Sequence, residues 1–189
     1  PDFYDTVQAS ELSDEEQYRI NAFDWEGEFR AIMLSGGFDA VIGNPPYIRI
    51  QRITHGDSDY LFQTYKSPTS KTDLSLLFLE KSLSLSTDSG LIGFICTSQW
   101  LSTDYGRKLR GMLSDGRLKE IVDFGSLPVF SGADTYPAIF VLSPKAAEYV
   151  TLKRVNTISE LNLTGILSAP ELSIPLETLS DQPWLLGGI

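Results

Sequence analysis

The fold of this chain is decided by the stretch Phe38-Asp-Ala-Val-Ile-Gly-Asn-Pro-Pro-Tyr47. Its first six residues are largely apolar and follow the pair Gly36-Gly37, a pattern that predicts a short buried strand over residues 38–43. Asn44 begins a corner directly after that strand. In open α/β sheets, ligands bind in the crevice outside the carboxyl ends of the strands. We therefore expect residues 44–47 to lie in such a crevice.

The corner itself has a distinctive chemistry. Pro45 and Pro46 have fixed φ angles and donate no hydrogen bond, so the backbone carbonyls there form a rigid array. Asn44 adds an amide oxygen as a further acceptor, and Tyr47 adds an aromatic surface. Together they suit a planar group that bears an amino group. The alternative is a Pro-Pro turn that ends the strand beside a partly buried tyrosine.

Outward from this stretch, helical patterns and apolar runs alternate. A helix beginning at Thr72 or Asp73 is predicted to carry an apolar face, formed by Leu74, Leu77, Phe78 and Leu85. Further helices are predicted from Ser13, over residues 26–34 and over residues 102–113. Further strands are predicted over residues 90–96, 118–124, 138–142 and 149–155.

This order predicts an α/β fold with a layered, mostly parallel sheet. The last two strands have no helix between them, so we expect them to form an antiparallel pair at one edge. Residues 44–72 are polar and rich in Pro, Thr, Ser and Gly, which predicts a long, mobile surface loop. Cys96 lies in an apolar run and is expected in the core.

Composition excludes several classes of protein. The chain has 189 residues, one cysteine and one histidine, which excludes a disulfide framework and disfavours a His/Cys metal site or a catalytic triad. The length suits one domain. No apolar run approaches the roughly 18 residues of a membrane helix, and no leader is visible. We expect a cytoplasmic protein with no membrane partner.

Charge is unevenly distributed along the chain. The formal net charge is −10, yet residues 45–119 carry ten basic against seven acidic side chains. This middle third is the part that an anionic partner would favour. Four basic residues follow the corner and are candidates for phosphate contacts or for ordinary surface positions: Arg49, Arg52, Lys66 and Lys71.

The ordered series of segments resembles the catalytic core of S-adenosylmethionine-dependent N6-adenine DNA methyltransferases of restriction–modification type, including fused type II, type IIG-like and BREX-like methylases. The resemblance covers roughly residues 22–145. After the corner it continues through Asp73–Lys81, Gly90–Leu101 and the apolar runs at 118–124 and 138–142. It implies a partial Rossmann-like methyltransferase sheet, S-adenosylmethionine as the methyl donor, no metal, and double-stranded DNA with a flipped adenine as partner.

The resemblance also implies roles for individual residues. Asn44 and the Pro45 carbonyl would accept hydrogen bonds from the amine of the target adenine, and Asn44 would also face the cofactor. Tyr47 and Phe130 would form the walls of the slot for the flipped base. Asp24 would bind the adenine amine of the cofactor. Two alternatives stay open, since Asp24 also suits a helix cap and Phe130 also suits a core position.

The chain departs from this family before Asn44, where no glycine-bearing loop for the methionine part of the cofactor is found. We expect a core fragment that lacks the N-terminal cofactor-loop region, is completed by missing parts of the same polypeptide and is inactive alone. Residues 1–21 would form an acidic helical segment, 22–158 the C-terminal part of the catalytic core, and 159–189 a linker or the start of a target-recognition region.

Two other functions remain open at this stage. Asn-Pro-Pro-Tyr also occurs in methyltransferases that modify a protein glutamine or an RNA base. A non-catalytic remnant that binds DNA or serves assembly is the third possibility.

Overall fold

The computed structural model describes residues 23–53, 55–130 and 136–186. The expected N-terminal acidic helical segment, residues 1–21 with its cap at Ser13, lies outside the described residues. All elements below belong to the described part of the chain.

A single mixed sheet carries the fold. Its strands, within the described residues, are β1 (Phe38–Gly43), β2 (Ser86–Thr97), β3 (Leu118–Asp123), β4 (Pro137–Leu142), β5 (Tyr149–Arg154) and β6 (Glu171–Pro175). They lie in the order β1-β2-β4-β3-β5-β6. β1 pairs with β2 and β3 with β5 in parallel, whereas β4 runs antiparallel to β2 and β3, and β6 antiparallel to β5. Four strands therefore share one direction, and the expected α/β fold is confirmed. The expectation that the strand at 38–43 is buried is wrong, because β1 lies at the edge of the described sheet, none of its residues is buried and Ile42 is 91% exposed.

Short helices connect these strands. The α-helices are α1 (Trp25–Glu28), α2 (Arg30–Leu34), α3 (His55–Thr64), α4 (Leu74–Leu85), α5 (Arg107–Leu113) and α6 (Leu163–Ser168). Single 3₁₀ turns cover Ile50–Arg52, Ser98–Leu101, Asp104–Gly106, Ile158–Glu160 and Leu176–Thr178. Asp73 caps α4, because its Oδ1 accepts a hydrogen bond from the Ser75 amide at 2.9 Å. None of the described helices is long and apolar enough to cross a lipid bilayer.

The expected helix over residues 26–34 is divided in two. Phe29 has φ −118° and ψ 37°, which are not helical values, and it separates α1 from α2. Its ring packs against Phe38 and Trp25, with centroid distances of 5.2 and 5.9 Å. Aromatic packing at the start of β1 therefore accompanies the break in the helix.

The antiparallel pair at the sheet edge is not the one expected. β4 and β5 do not pair with each other, because β3 lies between them. β4 presents buried residues on both faces, which suits a strand inside the sheet. The antiparallel edge pair is instead β5 with β6.

Residues 44–72 are not a continuous loop, since they contain a 3₁₀ turn and the ten-residue helix α3. The apolar residues of α3 are confined to one turn, around Tyr60 and Leu61, so the helix shows no apolar period in the sequence. Those two residues line a common cavity with α4.

Residues 171–186 contribute to the sheet and to the core. β6 completes the sheet, and Trp184 is only 4% exposed. The Trp184 amide donates to the Leu101 carbonyl at 2.7 Å, and its ring packs 5.8 Å from that of Trp100. The boundary at residue 158 and the start of a target-recognition region stay predictions.

The main core lies between the sheet and the segment that includes α4 and α5. Trp100, Phe140 and Cys96 are fully buried there, as expected for Cys96. Arg110 is also buried, at 1% exposure, and donates hydrogen bonds to the carbonyls of Trp100 and Thr103. These bonds satisfy a buried charge that would otherwise be costly.

The position of Trp184 gives a direct test of how far the domain extends. Trp184→Ala is expected to lower the free energy of unfolding by about 3–5 kcal/mol, because it removes a large buried side chain. Leu185→Ala is the matched control: Leu185 is 86% exposed, and its loss should cost less than about 0.5 kcal/mol. Urea unfolding of both variants measures the difference, and equal small effects would show that residues 180–186 are not part of the core.

Candidate active site at the carboxyl end of β1

The site begins where β1 ends beside β2. Gly43 is paired with Phe94 of β2, and a Cβ atom at Gly43 would lie 2.9 Å from the Phe94 ring. Phe94 is 4% exposed and belongs to the core, so its ring has little freedom to move away. The glycine before Asn44 is therefore required by this close approach.

The corner offers free acceptors. Asn44 and Pro46 are exposed, whereas Pro45 is buried. Within the described residues, neither the Asn44 side chain nor the Pro45 carbonyl takes part in a hydrogen bond. The amide and the carbonyl are thus available to a ligand, as the chemistry of the corner predicts.

Tyr47 is anchored to the sheet. Its hydroxyl donates a hydrogen bond to the Ile95 carbonyl of β2 at 3.0 Å, and its ring packs on the core. Burial raises the pKa of Tyr47 to about 12, with smaller contributions from Cys96 and Asp73. The phenol therefore stays neutral at physiological pH, where it acts as a fixed donor and an aromatic surface rather than as a base.

Tyr47 and Phe130 are brought together, as the sequence predicts. Their ring centroids lie 6.1 Å apart with an interplanar angle of 72°, an edge-to-face contact. The two rings do not form parallel walls in this arrangement. Phe130 would have to turn for both rings to stack on one base, and their joint role stays a prediction.

A cavity of about 730 Å³ adjoins the corner on the side of α3 and α4. Its lining is mostly apolar and includes Trp25, Asn44, Pro45, Phe78, Lys81 and Phe94. Its size falls within the range of small-molecule sites in proteins. The acceptors of the corner are therefore at the border of a space that is large enough for a ligand of nucleoside size.

Phe78 is a candidate site residue that sequence reasoning assigned only to a helix face. That face exists, because Leu74, Leu77, Phe78 and Leu85 all line the cavity. The core contact of α4 is a neighbouring stripe that includes Leu76 and Leu79, both fully buried. The sequence feature that could have indicated a second role is that α4 is apolar on more than one face. In the structure, Phe78 is 46% exposed.

Asp24 acts as a helix cap in this structure. Its Oδ1 accepts hydrogen bonds from the amides of Glu26 and Gly27, both at 3.0 Å. The neighbouring Trp25, rather than Asp24, reaches the cavity. The capping alternative is thus observed, and the role of Asp24 toward a cofactor stays a prediction.

The four basic candidates differ in their surroundings. Arg52, Lys66 and Lys71 are exposed, whereas Arg49 is half-buried. The Arg49 guanidinium donates to the Lys71 carbonyl at 2.7 Å and lies 4.7 Å from the centre of the Tyr105 ring. In the described part of the chain, no group of three His, Cys, Asp or Glu side chains is placed to hold a metal ion.

Comparisons with known proteins show the family of this chain. The family model of the Eco57I restriction-modification methylase matches residues 2–130. The type II methyltransferase M.PaeR7I of Pseudomonas aeruginosa is 32% identical over 174 residues, which cover 85% of this chain and 30% of that protein. The type II restriction enzyme and methyltransferase RM.Eco57I of Escherichia coli is 31% identical over 136 residues, covering 70% of this chain and 13% of that protein.

Solved structures share the fold. The ATP-dependent type ISP restriction-modification enzyme LlaBIII, bound to DNA, has a TM-score of 0.59 at 15% identity and covers 96% of this chain and 14% of its own. The type IIL enzyme MmeI in complex with DNA has a TM-score of 0.56 at 16% identity, covering 81% of this chain and 20% of its own.

The chain thus spans less than a third of the length of each of these proteins. The family model nevertheless covers more than half of this chain, including β1, the corner and α4. The chain belongs to the Eco57I restriction-modification methylase family.

Proposed function

We propose that this chain is part of a site-specific DNA adenine N6-methyltransferase of a restriction–modification system. The observation that carries the proposal is the pair of free acceptors, the Asn44 amide and the Pro45 carbonyl, between an anchored tyrosine and a cavity of about 730 Å³. An amino group held by both acceptors would face the cavity, where a methyl donor has room. The names of the curated relatives, which are type II methyltransferases, support the same reaction class.

The chemistry follows from the two acceptors. The Asn44 oxygen and the Pro45 carbonyl each accept one N–H of the adenine amine, which localises the nitrogen lone pair and turns it toward the cavity. With a methyl donor bound, this lone pair would be aimed at the methyl carbon, the bond from that carbon to the donor sulfur would break as the nitrogen–carbon bond forms, and the methylated amine would release a proton to water. No strongly shifted base is required. Positioning and electrostatic stabilisation supply the rate enhancement.

S-adenosylmethionine supplies the electrophilic methyl group when it is bound. The residues of the cavity fit its adenosine part, because Trp25 and Phe78 offer aromatic surfaces and Asn44 borders the same space. A glycine-bearing loop for the methionine part is not found before Asn44 in the sequence. We infer that other parts of the same polypeptide complete the pocket.

Double-stranded DNA is the proposed partner, with the target adenine flipped out of the duplex. A flipped base needs a stacking surface, and Tyr47 presents one that its hydroxyl bond to Ile95 holds in place. Stacking on an aromatic side chain is worth about 1–3 kcal/mol per base, which offsets much of the cost of unstacking. Phe130 is near enough to contribute to the same slot.

The 189-residue chain by itself is expected to transfer no methyl group to DNA, because its cofactor pocket is incomplete. The measurement uses S-adenosylmethionine with a labelled methyl group and duplex DNA, with the full-length polypeptide as the positive control. Robust transfer by the chain alone would contradict this expectation.

Asn44→Ala in the full-length polypeptide is expected to lower the single-turnover rate by about 100-fold or more, because one of two acceptors at the reacting nitrogen is lost. Affinity for DNA should change little. Asn156→Ala, at an exposed asparagine away from the cavity, is the control. A near-normal rate in Asn44→Ala would refute the assigned role.

Phe130→Ala should weaken capture of the flipped base and spare cofactor binding. Loss of a stacking contact of about 1–3 kcal/mol corresponds to a fall of about 5- to 150-fold in the flipped population. Fluorescence of 2-aminopurine at the target position reports this population, and Phe62→Ala on α3, outside the cavity lining, is the control. An equal loss of cofactor affinity would instead indicate that Phe130 has a packing role.

A further inference from the structure

The residues just after the corner form a backbone bridge to the start of α4. Arg49 and Asp73 are opposed in an isolated antiparallel bridge. The Ile50 amide donates to the Thr72 carbonyl at 2.9 Å, and the Leu74 amide donates to the Ile48 carbonyl at 2.8 Å. The chain is therefore attached to the start of α4 by backbone hydrogen bonds at residues 48–50, a few residues after the corner.

The start of α4, to which residues 48–50 are hydrogen-bonded, is buried in the protein. Asp73 is the N-cap of α4 and is 4% exposed, and Ile50 is 2% exposed. Burial raises the pKa of the Asp73 carboxyl, while its bond from Ser75 and the nearby Arg49 charge act in the opposite direction. The Arg49 charge thus offsets a small part of the cost of burying this carboxyl, after the hydrogen bond from Ser75.

The Arg49 side chain is directed inward rather than toward solvent. One end of its guanidinium donates to the Lys71 carbonyl at 2.7 Å, and the plane lies over the ring of Tyr105 at 4.7 Å. Tyr105 is 7% exposed and belongs to the main core. Both contacts use the planar, multi-donor shape of arginine, which lysine does not reproduce.

We infer that Arg49 is a positioning residue for the catalytic corner, an inference that rests on the proposed function. Tyr47 is tied to the sheet through Ile95, and Arg49, two residues further on, is tied to α4 and to Tyr105. The stiff segment from Asn44 to Pro46 lies between the end of β1 and these two anchors. Arg49 therefore sets where the Asn44 amide and the Pro45 carbonyl meet the adenine amine, and it does not contact a DNA phosphate.

The test uses two variants of the full-length polypeptide. Arg49→Lys keeps the charge and should lower the single-turnover rate at saturating DNA and cofactor by about 10- to 100-fold, since small misplacement of reacting groups has effects of that size. Arg49→Met should lower it at least as much. In both, affinity for DNA and its salt dependence should stay within about twofold of wild type, because no phosphate contact is lost.

Arg30→Lys, at an exposed arginine on α2, is the matched control and should retain the wild-type rate. Tyr105→Leu removes the ring beneath the guanidinium and should reproduce the loss of rate in Arg49→Lys. Hydrogen exchange of the amides of residues 47–50 should be faster in Arg49→Lys, and this readout is independent of activity.

The inference is overturned if Arg49→Lys matches wild type in both rate and exchange. It is also overturned if Arg49→Met weakens DNA binding and lowers the salt slope by about one unit while the single-turnover rate is kept, since that is the signature of a phosphate contact. A wild-type polypeptide that methylates no adenine would refute the proposed function instead, and the exchange measurement would still decide whether Arg49 holds the corner.

Discussion

The pairing of β1 with β2 is the constraint on which the rest of the site depends. It places Gly43 against the Phe94 ring, so that the chain leaves the sheet at Asn44, and it places the Ile95 carbonyl within reach of the Tyr47 hydroxyl. Between these two points the chain contains two prolines and has little conformational freedom. The acceptors of the corner are therefore fixed by the sheet before any ligand arrives, and this preorganisation is what the proposed methyl transfer requires.

The helix α4 connects the two sides of this site. One stripe of the helix packs into the core, and a second stripe, which includes Phe78, lines the cavity beside the corner. Its N-cap, Asp73, is also the residue to which Arg49 is bridged. A single helix thus positions the cavity wall and the far anchor of the corner, so a shift of α4 would change both together.

Local sequence predicted the strand at 38–43 and the acceptors at Asn44. The proximity of Tyr47 to Phe130 was implied by the family resemblance alone, and the edge-to-face geometry of those two rings was not foreseen. Other features were missed for identifiable reasons. The helix α3 has few apolar residues, and they are confined to one turn, so its sequence shows no helical period. β4 lies between β2 and β3. Its residues are apolar on both faces, which indicates a strand inside the sheet but does not indicate which strands are its neighbours.

The sequence by itself determined that a rigid acceptor corner follows a short strand, because proline, glycine and asparagine have strong local preferences that distant residues do not override. Only the tertiary structure decided which face of α4 meets the cavity, that Arg49 turns inward over Tyr105, and that β6 and Trp184 complete the core. These outcomes result from contacts between residues far apart in the chain, and the free energy of such contacts depends on the complete packing rather than on any one segment.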